Sequence, residues 1–191
     1  VYLDALKGCG VACGSTVVCA ANEVCNAGVC GAAQGLVAFS VPLTTSSQKQ
    51  RFADKFATPP NLTDATVTLR VYAPGATGGT LIVYMSDAPD YTPSPLHMYP
   101  LIPISAGWTD VVVPVDPALG DYNPSSVAQV TFEIRSDDAG PWANPTLLYV
   151  DAIWSSNGAI NDTFDSTFGG IIPSSYEKVE GSTYTWTAAL P

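Results

Sequence analysis

Between Thr66 and Tyr72 the chain alternates apolar Val67, Leu69 and Val71 with Thr68, Arg70 and Tyr72. A period of two sends one set into a core and the other to the opposite face of a β-sheet. Comparable segments recur at Ala38 to Val41, Gln50 to Phe56, His97 to Ile104, Thr109 to Val115, Val127 to Arg135 and Thr146 to Trp154, and Leu81 to Ser86 is apolar on both faces, as a central strand is. Turn-forming stretches separate them, among them Ala73-Pro74-Gly75-Ala76-Thr77-Gly78-Gly79 and the Asp87 to Pro95 loop, whose prolines cannot continue a ladder. No helical period of useful length interrupts the series. Eight short strands with turn chemistry between them predict an all-β chain whose main domain, residues 36–156, is an antiparallel β-sandwich.

The 191 residues suffice for one such core with small appendages. Residues 1–33 stand apart as a disulfide-rich N-terminal segment, because Cys9, Cys13, Cys19, Cys25 and Cys30 are all of the chain's cysteines. A segment this short buries too little apolar surface to offset chain entropy without covalent links. Zinc would need C-x-x-C pairs or nearby histidines, whereas three, five, five and four residues separate these cysteines and the one histidine is His97. Disulfides in an oxidising, extracellular compartment are therefore expected, with connectivity open and one cysteine of the five left over. Lipid anchoring is disfavoured by Lys7 in Leu6-Lys7-Gly8-Cys9. With no charged region and apolar run after Val1, the chain reads as a mature or trimmed form. Residues 157–191 restart with turn residues, a Gly169-Gly170 pair and Tyr184-Thr185-Trp186-Thr187, and are expected to form a strand-rich C-terminal extension.

Seventeen acidic residues against seven basic ones give a formal charge of −10, which disfavours nucleic acid and anionic membranes as partners. No apolar run reaches the roughly 18 residues that span a bilayer. Catalytic constellations are equally scarce. His97 lies between Leu96 and Met98, no G-x-S-x-G turn exists, and Gly75 to Gly79 lacks the Lys of a phosphate loop. The carboxylates Asp54, Asp110, Glu133, Asp137, Asp138 and Asp151 form no recognisable acid/base pair. A non-enzymatic role is expected.

Three stretches in order carry a family likeness: Asn61-Leu62-Thr63-Asp64-Ala65-Thr66-Val67-Thr68-Leu69-Arg70-Val71-Tyr72, Ala106-Gly107-Trp108-Thr109-Asp110-Val111-Val112-Val113-Pro114-Val115, and Leu147-Leu148-Tyr149-Val150-Asp151-Ala152-Ile153-Trp154. They resemble the galactose-binding-like jelly-roll carbohydrate-binding modules of bacterial secreted glycoside hydrolases. The shared pattern is a strand with an aromatic end, a Gly-Trp-Thr entry into a Val-rich strand, and a closing Tyr-Ile-Asp-type strand. The stretch from Cys19 to Cys30 likewise resembles short cysteine-rich modules of secreted bacterial proteins. The resemblance implies a jelly roll, extracellular polysaccharide as ligand, and a structural calcium. Asp151 matches the closing-strand Asp of such a calcium site, with Asp54 and Gln48 as the nearest partners; a turn or capping role for Asp151 is the alternative.

Sugar rings present C–H patches that stack on aromatic faces and hydroxyls that need donors and acceptors. Arg70, Tyr72, Glu133 and Arg135, joined by Tyr84 and Tyr149, supply that mixture as an outward sheet face, unless they only make cross-strand pairs on a solvated surface. A second candidate surface lies in the loops, where Trp142 with Tyr91, His97 and Tyr99 would form a platform; Trp142 covering the sandwich end is the plain structural reading. Trp108 and Trp154 are read as core. A rival role is a cell-surface fibre or adhesin subunit, assembled by strand exchange through 157–191 or through the odd cysteine. Asn61-Leu62-Thr63 and Asn161-Asp162-Thr163 are sequons in a glycosylating host.

Overall fold

A computed structural model describes residues 11–12, 23–26, 29–32, 35–75, 77–88, 96–98, 102–115, 122–136, 141–164, 171–173 and 178–187. Among them there are fifteen strands, and no helix is long and apolar enough to cross a membrane. Every pairing is antiparallel. In the N-terminal segment β1 (Val11–Ala12), β2 (Glu23–Asn26) and β3 (Val29–Ala32) form a small sheet in the order β1-β3-β2.

Two six-stranded sheets make up the rest. The first contains β4 (Leu36–Val41), β6 (Thr66–Ala73), β10 (Gly107–Pro114), β12 (Thr146–Ser155), β13 (Asn161–Asp162) and β15 (Thr183–Thr187). Its order is β10-β6-β12-β4-β15, with β13 paired to β12. The second contains β5 (Lys49–Lys55), β7 (Gly79–Ser86), β8 (Leu96–Met98), β9 (Ile102–Pro103), β11 (Gln129–Ser136) and β14 (Ile171–Pro173). Its order is β14-β5-β11-β7-β8, with β9 paired to β7. Where one strand was expected from His97 to Ile104, two short ones occur, and residues 99–101 lie outside the described residues.

Alternation produces the core as the sequence predicts. Val37, Phe39 and Val41, then Val67, Leu69 and Val71, face Phe52, Val83, Met85, Val130, Phe132 and Ile134 from the opposite sheet, and all are buried. Phe39 bridges the layers, with its ring centroid 4.2 Å from Phe52 and 5.1 Å from Phe132. Each such ring contributes about 1.5–3 kcal/mol by leaving water. Gly78, at φ 69°, joins a close approach of two loops, since a Cβ there would run into the Pro141 carbonyl oxygen.

The C-terminal extension adds a strand to each sheet. Ile171 to Pro173 pairs with Asp54 to Phe52, and Thr183 to Thr187 pairs with Ser40 to Leu36. Between them, Val179 is buried and its N–H donates to the buried Gln50 Oε1 at 3.0 Å. The edges that β4 and β5 would otherwise expose are thereby occupied within one chain.

Candidate functional site

Trp108, Tyr72 and Tyr149 stand in register on three adjacent strands of the first sheet, Trp108 opposite Tyr72 and Tyr72 opposite Tyr149. Their inward neighbours Val71, Val111, Leu148 and Val150 are buried in the core, so the aromatic side chains project from the outer face. Trp108 is the second residue of its strand and follows Gly107, whose φ of 89° is open to glycine and strained for other residues. The ring centroids of Tyr72 and Trp108 are 5.3 Å apart with planes at 53°, and those of Tyr72 and Tyr149 are 6.1 Å apart at 56°. Trp108 is 43% exposed, Tyr72 half-buried and Tyr149 buried, so the row descends from an open edge to a floor. Burial, assisted by Tyr72, pushes the Tyr149 phenol above its ordinary pKa of 10.0.

Charged groups border this row. The Arg70 guanidinium lies over the Trp108 ring at 5.2 Å from its centroid, a cation–π arrangement, and its Nε is 3.6 Å from Asp151 Oδ2. Asp151 reaches Arg70 because β12 shifts register between Val150 and Ala152, and the extra residue of a bulge is free to re-aim its side chain. Asp110 is exposed and lies opposite Arg70. An exposed aromatic face bordered by charged groups suits a ligand with flat C–H patches and hydroxyls.

The sequence-based grouping of one face from Arg70, Tyr72, Tyr84, Glu133, Arg135 and Tyr149 divides between two sheets. Arg70, Tyr72 and Tyr149 share the outer face of the first sheet. Tyr84, Glu133 and Arg135 are on the outer face of the second, because their inward neighbours Val83, Met85, Phe132 and Ile134 belong to the core. Period-two patterning assigns a residue to the inner or outer side of its own strand, whereas sheet membership follows from long-range pairing.

On the second sheet Tyr84 and Glu133 are buried together with Arg51, which sequence reasoning overlooked, while Arg135 is half-buried beside them. Arg51 opposes Glu133 in register, and its Nε donates to Glu133 Oε2 at 2.5 Å. The Tyr84 hydroxyl donates to the same oxygen at 3.2 Å, and Arg135 Nη1 lies 3.7 Å from Glu133 Oε1. Arg51 also stacks over the Tyr84 ring at 4.8 Å. Burial, reinforced by the Glu133 carboxylate, pushes the Tyr84 phenol up to about 12. The cluster is an internal charge network.

The other expected residues are elsewhere. Trp108, read as core, is exposed on the row described above, and Trp154 is half-buried on the same outer face. Trp142 is half-buried and packs against the core at the end of the sandwich. Of its expected companions, Tyr91 and Tyr99 lie outside the described residues, and His97 is placed only as part of β8. Asp54 is fully buried on the side of β5 that Val130 and Ile171 share, in the other sheet from Asp151, whose carboxylate faces Arg70. Among the described residues no three His, Cys, Asp or Glu side chains form a metal-holding group. Cys25 and Cys30 occupy facing positions of β2 and β3, while Cys9, Cys13 and Cys19 lie outside the described residues.

A scan of this chain against protein-family models returns no match, and a search of curated proteins returns no significant one.

Proposed function

We propose that this chain is an extracellular, non-catalytic glycan-binding domain built on a jelly roll, and that it holds its ligand against the Trp108, Tyr72 and Tyr149 row. The strand order supports the jelly-roll reading. Counted in chain order, with β8 and β9 together as the fifth, the eight sandwich strands form sheets 6-3-8-1 and 2-7-4-5. That is the interlocking of two Greek keys. The cysteine-dense N-terminal segment supports an oxidising, extracellular compartment.

The observation that carries the binding reading is the in-register aromatic row with its open end at Trp108 and a cation–π contact from Arg70. An indole 43% exposed on a sheet face is a large apolar surface in water, and stacking a sugar ring on it removes that surface from solvent. Exposed Asp110 and the Arg70 and Asp151 pair supply acceptors and donors for hydroxyls. The resemblance of the three sequence stretches to carbohydrate-binding modules points the same way.

Affinity electrophoresis of the full chain through gels containing xylan, mixed-linkage β-glucan, galactomannan, soluble cellulose ether, alginate or pectate tests this reading. Retardation by at least one polysaccharide is expected. Migration unchanged in every gel would overturn it.

A further inference from the structure

Resting on the glycan reading, we infer that the ligand is a neutral glycan chain that crosses five strands of the first sheet, from Trp108 at one edge to Thr185 on the C-terminal strand. The cross-strand line does not stop at Tyr149. Tyr149 is opposite Ala38 on β4, and Ala38 is opposite Thr185 on β15, so five residues occupy one continuous cross-strand line. Directly opposed residues of paired strands project to the same face. Trp108, Tyr72, Tyr149, Ala38 and Thr185 therefore share the outer surface. At about 4.8 Å between neighbouring strands, the four steps from Trp108 to Thr185 span about 19 Å, room for several sugar rings.

The relief along this line suits an extended chain. Trp108 stands exposed at one end, Tyr149 is buried as a floor, Ala38 is a small half-buried residue, and Thr185 is exposed at the other end. Both β10 and β15 are terminal strands of the sheet order, and both end residues are open to solvent, so a chain can run past either edge. An internal stretch of polymer fits such a line better than a chain terminus, which would call for a closed end. The rings also exclude a flat crystalline surface as the preferred ligand, because planes at 53° and 56° offer no coplanar platform.

Charge selects against anionic glycans. Among the described residues the charges bordering the row are Arg70, Asp110 and Asp151, one basic against two acidic, and the Arg70 guanidinium is already engaged with Asp151 and Trp108. The chain as a whole carries −10. A polyuronate or sulfated glycan approaching this face would be repelled, whereas neutral hydroxyls find acceptors there.

The test uses the full chain and oligosaccharides of increasing length cut from whichever neutral polysaccharide retards it. By calorimetry, affinity should climb with length up to about 19 Å and then level off, and it should change little between low and high salt. Ala38→Gln, which adds bulk midway along the line, should weaken the longest oligosaccharide about tenfold and leave the disaccharide unchanged. Thr185→Ala should act in the same direction and guards against a folding defect in the first variant. Equal affinity for disaccharide and longer chains would overturn the extended line, as would tighter binding to alginate, pectate or crystalline cellulose than to any neutral soluble chain. In both cases glycan binding itself would stand. Binding to no polysaccharide of any kind would instead remove the glycan reading.

Discussion

Arg51 and Glu133 oppose each other across β5 and β11, and the guanidinium Nε meets Glu133 Oε2 at 2.5 Å with the two side chains 6% and 0% exposed. A carboxylate so placed is stable only while its counter-charges remain. Removing one partner of a buried pair costs about 3–5 kcal/mol, mostly because the other charge stays desolvated and unmatched. Urea unfolding of Glu133→Leu and Arg51→Met should each show a loss of that order, and the double variant should recover much of it. Single variants within about 0.5 kcal/mol of the wild type would place the pair in a solvated setting.

Tyr84 ties the same cluster to pH. Its phenol is raised from 10.0 to about 12 in the folded protein, first by burial and then by Glu133. A group whose folded pKa lies above its unfolded value contributes stability that is fully present below the unfolded pKa and is lost as pH climbs through the folded one. Stability should therefore decline from pH 10 towards pH 12, and Tyr84→Phe should flatten that decline. Identical pH profiles for the two proteins would show that Tyr84 ionises as readily folded as unfolded.

The C-terminal extension contributes to both sheets. A chain ending at residue 170 loses β14, β15, the buried Ile171 and Val179, and the N–H that satisfies Gln50 Oε1. It also bares the outer edges of β4 and β5 as pairing templates. A lowered Tm together with concentration-dependent light scattering is expected. An unchanged Tm would mean that the extension only decorates the sandwich.

Cys25 and Cys30 face one another in the β2 and β3 register. Facing residues of antiparallel strands have Cα atoms about 4.5–5.5 Å apart, within the span a disulfide bridges. Peptide mapping of non-reduced protein should recover Cys25 linked to Cys30. Recovery of either one linked to a different cysteine would show that the facing pair is not the bonded one.

Much of this molecule was legible in its sequence. Alternation at Thr66 to Tyr72 marked Val67, Leu69 and Val71 as core and Arg70 and Tyr72 as outward, and both assignments hold. The same rule gave Glu133 and Arg135 their outward sides, yet could not say that they belong to the second sheet or that Glu133 is fully buried there. Those facts depend on which strands pair over separations of 80 residues or more, as Arg51 does with Glu133. Trp108 misled for a related reason. A tryptophan near the start of a Val-rich strand invites a core reading, but Val111 and Val113 fix the inner side, and parity sends Trp108 outward. The place of Asp151 beside Arg70 was not legible, because the bulge after Val150 breaks the period that patterning relies on.

The most direct measurement compares wild type and Trp108→Ala in the same polysaccharide gel, with thermal unfolding recorded in parallel. Trp108 is exposed and its strand is anchored by Val111 and Val113, so the variant should keep the wild-type Tm while its affinity falls at least about tenfold, or about 1.4 kcal/mol. Full retardation of a folded Trp108→Ala protein would contradict a glycan site on the Trp108, Tyr72 and Tyr149 row.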